Sequence, residues 1–129
     1  MHTLLIVDDS NVIRNQISRY SSKIDFEVVA TASNGHDALF MYQQFKPDVV
    51  TMDLTMPGWE TNNMGGMECI EKIIELDENA DILVVSALED KATGIHALTL
   101  GARGFIHKPF TEEVLFEALN EVVANKTGK

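Results

Sequence analysis

Short apolar runs alternate with longer segments of helical periodicity along this 129-residue chain. Five of the runs are rich in branched residues and predict strands, at Leu4 to Val7, Glu27 to Ala30, Val49 to Met52, Ile82 to Val85 and Gly104 to Ile106. Because each parallel connection needs a crossover long enough for a helix, the alternation predicts a doubly wound α/β fold with a parallel sheet covered on both faces. In such folds, functional residues lie beyond the carboxyl ends of the strands.

The segments between and after these runs predict five helices. The fourth, near Asp90 to Leu100, has the weakest pattern because Gly94 and two threonines interrupt it. The fifth has a clear apolar stripe, and Thr111 is its predicted N-cap. Glu112 and Glu113 follow in the first turn, where carboxylates favour the positive end of the helix dipole.

Size and charge restrict the classes of function. The length predicts one domain, over residues 1–124, with a flexible polar tail at 125–129 and no separate output domain. A net charge of -10 disfavours direct contact with nucleic acids or anionic lipids. The apolar run at the N-terminus ends at Asp8, which is too soon for a signal or membrane-spanning segment. The single cysteine, Cys69, is predicted to be a buried, inert thiol in a reducing compartment. We therefore expect a cytoplasmic protein without membrane insertion.

Three carboxylates follow two of the predicted strands. Asp8 and Asp9 end the first strand and Asp53 ends the third, so all three are expected at one edge of the sheet. Carboxylates this close repel one another unless a cation lies between them, and an all-oxygen ligand set favours Mg²⁺. The four histidines are scattered and have no zinc-site spacing.

A cation and a hydroxyl are predicted at the same edge of the sheet as the three carboxylates. Lys108 follows the fifth strand and Ser86 follows the fourth. Phosphoryl transfer to a carboxylate is stabilised by four groups: an acidic metal-binding site, a nucleophilic carboxylate, a hydroxyl donor and an ammonium. Each group alone has an ordinary structural interpretation, as a helix N-cap or a surface charge, but their joint placement after four strands favours the functional one.

Taken together, the sequence motifs of this chain resemble those of a known family, the bacterial response-regulator receiver domains, and of the stand-alone chemotaxis regulators in particular. Four ordered motifs carry the resemblance nearly from end to end: Leu5-Ile6-Val7-Asp8-Asp9-Ser10, Pro47 to Pro57 (PDVVTMDLTMP), Val84-Val85-Ser86-Ala87, and Gly101 to Phe110 (GARGFIHKPF). The resemblance implies a flavodoxin-like (βα)5 fold with five parallel strands in the order 2-1-3-4-5, an order that the spacing alone does not determine.

The resemblance also implies a role for each site residue. Asp53 is the expected phosphoryl acceptor. Mg²⁺ is expected on Asp8, Asp9 and Asp53 with the backbone carbonyl of Thr55. The expected phosphoryl-binding and switch residues are Ser86, Ala87, Lys108 and Phe105, and the Lys108-Pro109 peptide bond is expected to be cis.

The implied activity is signalling, not enzymatic turnover, although the protein assists its own phosphorylation and dephosphorylation. A partner histidine kinase or a small phosphodonor supplies the phosphoryl group, and a surface formed by the fourth helix, fifth strand and fifth helix changes state. The implied partners are that kinase, an output protein such as the flagellar motor switch or another effector, and a phosphatase. A monomer or a weak phosphorylation-dependent dimer is expected.

The sequence departs from the family pattern at two places. Phe105 stands where the family often has tyrosine, so an output contact through that hydroxyl is absent. Gly66 stands nine positions after Pro57, where the family usually reaches its glycine in four, so the segment from Gly58 to Gly65 contains an insertion. It is either a tolerated loop extension or a modulator in which Trp59 or Glu60 shields Asp53, contributes a metal or water contact, or selects a partner.

Four alternatives compete with this interpretation, and one of them, a degenerate receiver that acts only as a scaffold, is disfavoured because every expected site residue is present. A haloacid-dehalogenase-like phosphatase needs a second acid two residues after its acceptor, where this chain has Thr55. A flavodoxin-like electron carrier needs a hydroxyl- and glycine-rich loop after the first strand, where this chain has two aspartates, which disfavours FMN. A stand-alone phosphorelay receiver that regulates an effector outside chemotaxis fits the same residues.

Overall fold

Five strands alternate with five helices in the computed structural model, which describes residues 1–54, 65–87 and 91–127. The elements are β1 (His2–Val7), α1 (Asn11–Ser21), β2 (Phe26–Ala32), α2 (Gly35–Phe45), β3 (Val49–Met52), α3 (Gly66–Leu76), β4 (Ile82–Ser86), α4 (Lys91–Leu100), β5 (Gly104–His107) and α5 (Glu112–Thr127). All strand pairs are parallel, in the order β2-β1-β3-β4-β5. The predicted α/β fold and its strand order are confirmed.

The strands carry apolar side chains on both faces, as a parallel sheet covered by helices requires. In β1, Leu5 and Val7 belong to a core shared with α2, α3 and α4, while Leu4 and Ile6 belong to a core shared with α1 and α5. The same alternation continues in β4, where Val84 faces the first core and Val85 the second. Two separate cores therefore hold the sheet rigidly between its helices.

Side-chain caps define where several helices begin. Ser10 accepts a hydrogen bond from the Ile13 N–H at 3.3 Å and starts α1 directly after the two aspartates. Asn34 accepts one from the Asp37 N–H at 2.9 Å and starts α2. The predicted N-cap of α5 is confirmed, because the Thr111 hydroxyl accepts a hydrogen bond from the Val114 N–H at 3.2 Å. These caps satisfy backbone donors that have no partner within the helix.

The observed bounds differ from the predicted ones mainly at the strand ends. β3 has the predicted bounds, whereas β1 begins two residues earlier and β2 is extended at both ends. α5 continues to Thr127, into the segment predicted as a tail, and the flexibility of that tail stays a prediction. Within the described ranges, no helix combines the length and hydrophobicity needed to cross a membrane.

Candidate functional site

The carboxyl ends of β1 and β3 bring two buried aspartates to the same edge of the sheet. These strands are neighbours, with Val7 opposite Met52. The Asp53 N–H donates to the Val7 carbonyl at 3.0 Å, and the Asp8 N–H donates to the Ala32 carbonyl at 3.0 Å. The sheet ladder therefore fixes the backbone of both residues immediately beyond the strands.

Asp8, Asp9 and Asp53 form a compact acidic cluster. Each offers one carboxylate oxygen, and the three oxygens lie within 4.8 Å of one another. Asp8 is 1% exposed and Asp53 0%, while Asp9 is exposed. The structure thus brings the three predicted carboxylates together in a position that is open to solvent on the Asp9 side.

Lys108 bridges the two buried carboxylates. Its Nζ lies 2.7 Å from Asp8 Oδ2 and 3.5 Å from Asp53 Oδ2, and its side chain is 14% exposed. The Lys108 N–H donates to the Ser86 carbonyl at 2.9 Å, and the Lys108-Pro109 peptide bond is cis. The backbone beyond β5 is therefore held against the end of β4, with the ammonium directed toward the acidic cluster.

The cluster has a high affinity for positive charge. Burial raises the pKa of Asp8 and the charge of Asp53 adds to the shift, while Lys108 and the Ser10 N–H, which donates to Asp8 Oδ1 at 2.8 Å, act in the opposite direction. Burial and the neighbouring Asp53 also raise the pKa of Asp9. When all three acids are ionised, a single ammonium is too little to neutralise three carboxylates, and two negative charges remain.

This donor set fits a hard divalent cation. All candidate ligand atoms are carboxylate oxygens, and Mg²⁺ is typically bound by one or two carboxylates with water and phosphate oxygens. A divalent ion would neutralise the two remaining charges and relieve the repulsion from Asp53, which adds to the larger effect of burial in raising the pKa of Asp8 and Asp9. Within the described residues, no other cluster of three acidic, histidine or cysteine side chains is this close.

The predicted switch residues lie on β4 and β5. Ser86 is fully buried as the last residue of β4, and Ala87 follows it on the surface. Phe105 on β5 pairs with Val84 and packs at the margin of the core shared by α2, α3 and α4. A Cβ at Gly94 in α4 would lie 3.3 Å from the Phe105 ring, so this glycine allows α4 to lie close against the aromatic side chain.

Three predicted residues lie outside the described part of the chain. These are Thr55, with the carbonyl expected on the metal, and Trp59 and Glu60, the expected modulators in the insertion. Their assignments stay predictions.

The sequence interpretation missed two residues that hold the site in place. Arg14 donates through Nη1 to the Asp8 carbonyl at 2.7 Å and through Nη2 to Asn11 Oδ1 at 3.2 Å, linking α1 to the acidic loop. A Cβ at Gly66 would lie only 2.2 Å from the Asp53 carbonyl oxygen, so glycine is what allows α3 to begin this close to the acceptor backbone. The Gly65-Gly66 pair before a helical pattern was a usable signal, whereas nothing in the sequence pointed to Arg14.

Cys69 is a core residue, as predicted. It is 0% exposed, and its thiol donates to the Gly35 carbonyl with a sulfur–oxygen distance of 3.6 Å. Burial raises its pKa to about 12, with a smaller effect from Glu68. The thiol therefore stays protonated and unreactive at neutral pH.

Comparisons with known proteins agree with this geometry. The family model of the response regulator receiver domain matches residues 4–120. The chemotaxis protein CheY of Thermotoga maritima is 42% identical over 119 residues, which cover 92% of this chain and 95% of that protein. CheY of Bacillus subtilis is 39% identical over 122 residues, which cover 95% and 98% of the two chains. A crystal structure of the CheX-CheY-BeF3-Mg complex from Borrelia burgdorferi matches with a TM-score of 0.88 and 31% identity, covering 95% of this chain and 89% of the other.

Proposed function

The chain belongs to the response regulator receiver family, and from this premise we propose that it is a phosphoacceptor signalling protein in which a partner histidine kinase phosphorylates Asp53 in a Mg²⁺-dependent reaction. The observation that supports this most strongly is the bridge from Lys108 to both Asp8 and Asp53 beside the exposed Asp9. In this proposal Asp53 is the nucleophilic carboxylate, the Lys108 ammonium is its neighbour, and the acidic cluster holds the divalent cation.

The acceptor step follows from these positions. A carboxylate oxygen of Asp53 attacks the phosphorus of the donor, a P–O bond forms, and the bond from phosphorus to the donor nitrogen breaks. The electron pair of that bond returns to the donor's imidazole ring. Lys108, already 3.5 Å from Asp53 Oδ2, is placed to stabilise negative charge that spreads over the phosphoryl oxygens.

The cluster of three acids accounts for the proposed dependence on Mg²⁺. Asp8, Asp9 and Asp53 are the side chains that would hold Mg²⁺. When bound, this ion supplies positive charge that lets an anionic phosphoryl group approach a cluster of carboxylates. Arg14 and the Ser10 N–H keep Asp8 in place by bonding its carbonyl and its carboxylate respectively.

The signal is proposed to leave the site through β4 and β5. Phosphorylation adds charge at Asp53, and in this proposal Lys108, 3.5 Å from Asp53 Oδ2, and Ser86, at the end of β4, stabilise it. Phe105, two residues before His107 at the end of β5, then changes its packing against α4. Shifting a surface with two conformations from mostly inactive to mostly active requires phosphorylation to stabilise the active conformation over the inactive one by about 5.5 kcal/mol. Charge-assisted hydrogen bonds must therefore act together with repacking of side chains.

The relatives favour chemotaxis as the pathway. Several relatives of this chain are chemotaxis proteins CheY, and the Borrelia burgdorferi relative was crystallised with CheX, BeF3 and Mg. We propose the corresponding partners for this chain: a histidine kinase, an output protein such as the flagellar motor switch, and a protein that removes the phosphoryl group.

The acceptor assignment is tested by labelling with acetyl phosphate. The wild-type chain should gain one phosphoryl group in the presence of Mg²⁺ and far less in EDTA, measured by intact mass. Asp53→Asn should not be labelled, whereas the control Asp25→Asn, at an exposed aspartate before β2, should be labelled like the wild type. Stoichiometric labelling of Asp53→Asn would refute the proposal.

A further inference from the structure

A cavity of about 470 Å³ lies at the edge of the sheet opposite the acidic cluster. Asp48, which lines the cavity, directly precedes β3, whereas Asp53 directly follows that strand. The other lining residues belong to the ends of α2 and α3 or to the turn after α2, and they are Tyr42, Gln43, Lys46, Pro47, Leu76 and Asp77. A cavity of about 300–1,000 Å³ is the usual size of a site for a small molecule.

Two helices end at this cavity. Lys46 is the C-cap of α2, and Asp77 is the C-cap of α3. The last turn of a helix carries partial negative charge on carbonyl groups that have no partner within the helix. Neither helix has a basic residue in its last turn to offset this charge. The two helix ends therefore favour a positive charge in the cavity.

Two carboxylates add to this negative charge. The Tyr42 hydroxyl donates to Asp77 Oδ2 at 3.1 Å, and the Asn79 N–H donates to Asp77 Oδ1 at 3.0 Å. The Thr3 N–H and hydroxyl donate to Asp48 Oδ2 at 2.8 and 3.2 Å. These hydrogen bonds hold both carboxylates in place, so little side-chain ordering would be needed when a cation binds.

The Tyr42 hydroxyl is sensitive to the same charges. Burial raises the pKa of Tyr42, and the neighbouring charges of Asp77 and Asp81 add to the shift. Surroundings that oppose a negative charge on the phenol oxygen favour a positive charge beside it.

Lys46 supplies the one positive charge among the described residues that line the cavity. Its backbone is left-handed, with φ of 44°, a conformation in which helix caps are usually glycine because a side chain is strained there. No salt bridge joins Lys46 to another described residue. The two carboxylates and this one ammonium leave the cavity with a net negative charge, to which the helix ends add.

We propose that this cavity binds a small aliphatic amine. Its ammonium group would pair with Asp77 and Asp48, and its alkyl chain would pack against Leu76 and Pro47. Leu76 is 51% exposed, so a bound alkyl chain would remove apolar surface from water. A metal ion fits poorly because only two carboxylates line the cavity beside apolar side chains, and an anion is disfavoured by the net charge.

The charge preference is tested with three probes of equal chain length: butylammonium, 1-butanol and butyrate. Binding is followed by NMR through the signals of Tyr42, Gln43 and Leu76, at one ionic strength for all samples. Mg²⁺ is present throughout, so that the acidic cluster at the other edge of the sheet does not compete for the amine.

Two pairs of variants locate the site. Asp77→Asn removes one negative charge from the cavity, and the control Glu113→Gln makes the same change of net charge at an exposed residue of α5, across the sheet. Lys46→Gly removes the competing ammonium together with the strained side chain, so this variant should fold at least as stably as the wild type. Its control, Lys72→Gln, removes the charge of an exposed lysine on α3 that does not line the cavity.

We expect butylammonium to shift the cavity signals and to bind about tenfold more tightly than either other probe. Asp77→Asn should weaken this binding by about fivefold and Lys46→Gly should strengthen it by about threefold, while each control should change it by less than about twofold. Equal binding of 1-butanol would show a merely apolar cavity and would overturn the inference. Tighter binding of butyrate, equal changes in variants and controls, or the absence of shifts at the cavity would also overturn it.

Amine binding and phosphorylation of Asp53 are measured independently. A chain that binds butylammonium at the cavity but is not labelled by acetyl phosphate keeps the amine site and loses the proposed function. A labelled chain without cavity shifts keeps the proposed function and loses the amine site.

Discussion

Replacing Gly66 with alanine should damage both the stability of the fold and the acceptor site. A Cβ at this position would lie 2.2 Å from the Asp53 carbonyl oxygen and 2.8 Å from Leu54 Cα. Both neighbours are backbone atoms at the end of β3, which cannot rotate away as a flexible side chain could. The start of α3 and the acceptor backbone must therefore move apart.

The size of the effect follows from these distances. Carbon–oxygen contacts are commonly about 3.3 Å or longer, so relief requires a movement of about 1 Å. Overpacking of this kind costs about 1–3 kcal/mol, which exceeds the gain of at most about 1 kcal/mol from alanine in a helix. At about 4 °C per kcal/mol in a chain of this size, the melting temperature of Gly66→Ala should fall by several degrees.

The assay combines thermal unfolding with the initial rate of acetyl phosphate labelling. Gly65→Ser is the matched control, because residue 65 is the extended N-cap of α3, with φ of -76°, and serine is a favourable N-cap. We expect Gly66→Ala to lose both stability and labelling rate while Gly65→Ser keeps both. A Gly66→Ala protein with wild-type melting temperature and labelling rate would refute this account of how α3 positions the acceptor.

Four further predictions follow from the site and its surroundings. Lys108→Ala should still be labelled by acetyl phosphate, but a pull-down should show no phosphorylation-dependent gain in partner binding; a wild-type gain would contradict its switch role. Gly94→Ala should shift the Phe105 ring resonances in NMR spectra, because its Cβ would lie 3.3 Å from the ring, and unchanged resonances would exclude the contact. Without metal, protonation of Asp8 and Asp9, whose pKa is raised in the folded state, stabilises the fold fully below the ordinary aspartate pKa of about 3.9, and this contribution is lost as the pH rises. The gain in melting temperature on adding Mg²⁺ should therefore grow with pH. Asp9→Asn should reduce this gain. Cys69, with its pKa raised to about 12, should react with iodoacetamide only after unfolding, and rapid alkylation of the native protein would show that it is not buried.

The fold could be predicted from the sequence because periodicity is a local property. The branched run from Val49 to Met52 has the bounds of β3 itself, since Pro47 and Asp48 precede it and Asp53 follows it. α4 was the weakest prediction, and the structure gives the reason: Gly94 lowers its helix propensity but lets the helix lie against Phe105. Tertiary packing, which the local pattern does not report, determines that helix.

Much of the site could also be predicted, because strand ends of a parallel sheet meet at one edge. This rule placed Asp8, Asp53 and Lys108 together, and the distances of 2.7 and 3.5 Å agree with it. The contact of Arg14 with the Asp8 carbonyl depends on how α1 packs on the sheet, so the sequence pattern could not provide it. The Gly65-Gly66 pair signalled a close approach of the backbone, but not that the neighbour is the Asp53 carbonyl.

The residue that carries the phosphoryl group can be located by chemical trapping. After labelling with acetyl phosphate and Mg²⁺, borohydride reduces an aspartyl phosphate to homoserine, and peptide mass spectrometry locates the modified residue. We predict homoserine at position 53 alone, with none formed when EDTA replaces Mg²⁺ during labelling. Homoserine at another aspartate, or equal conversion at position 53 in EDTA, would contradict it.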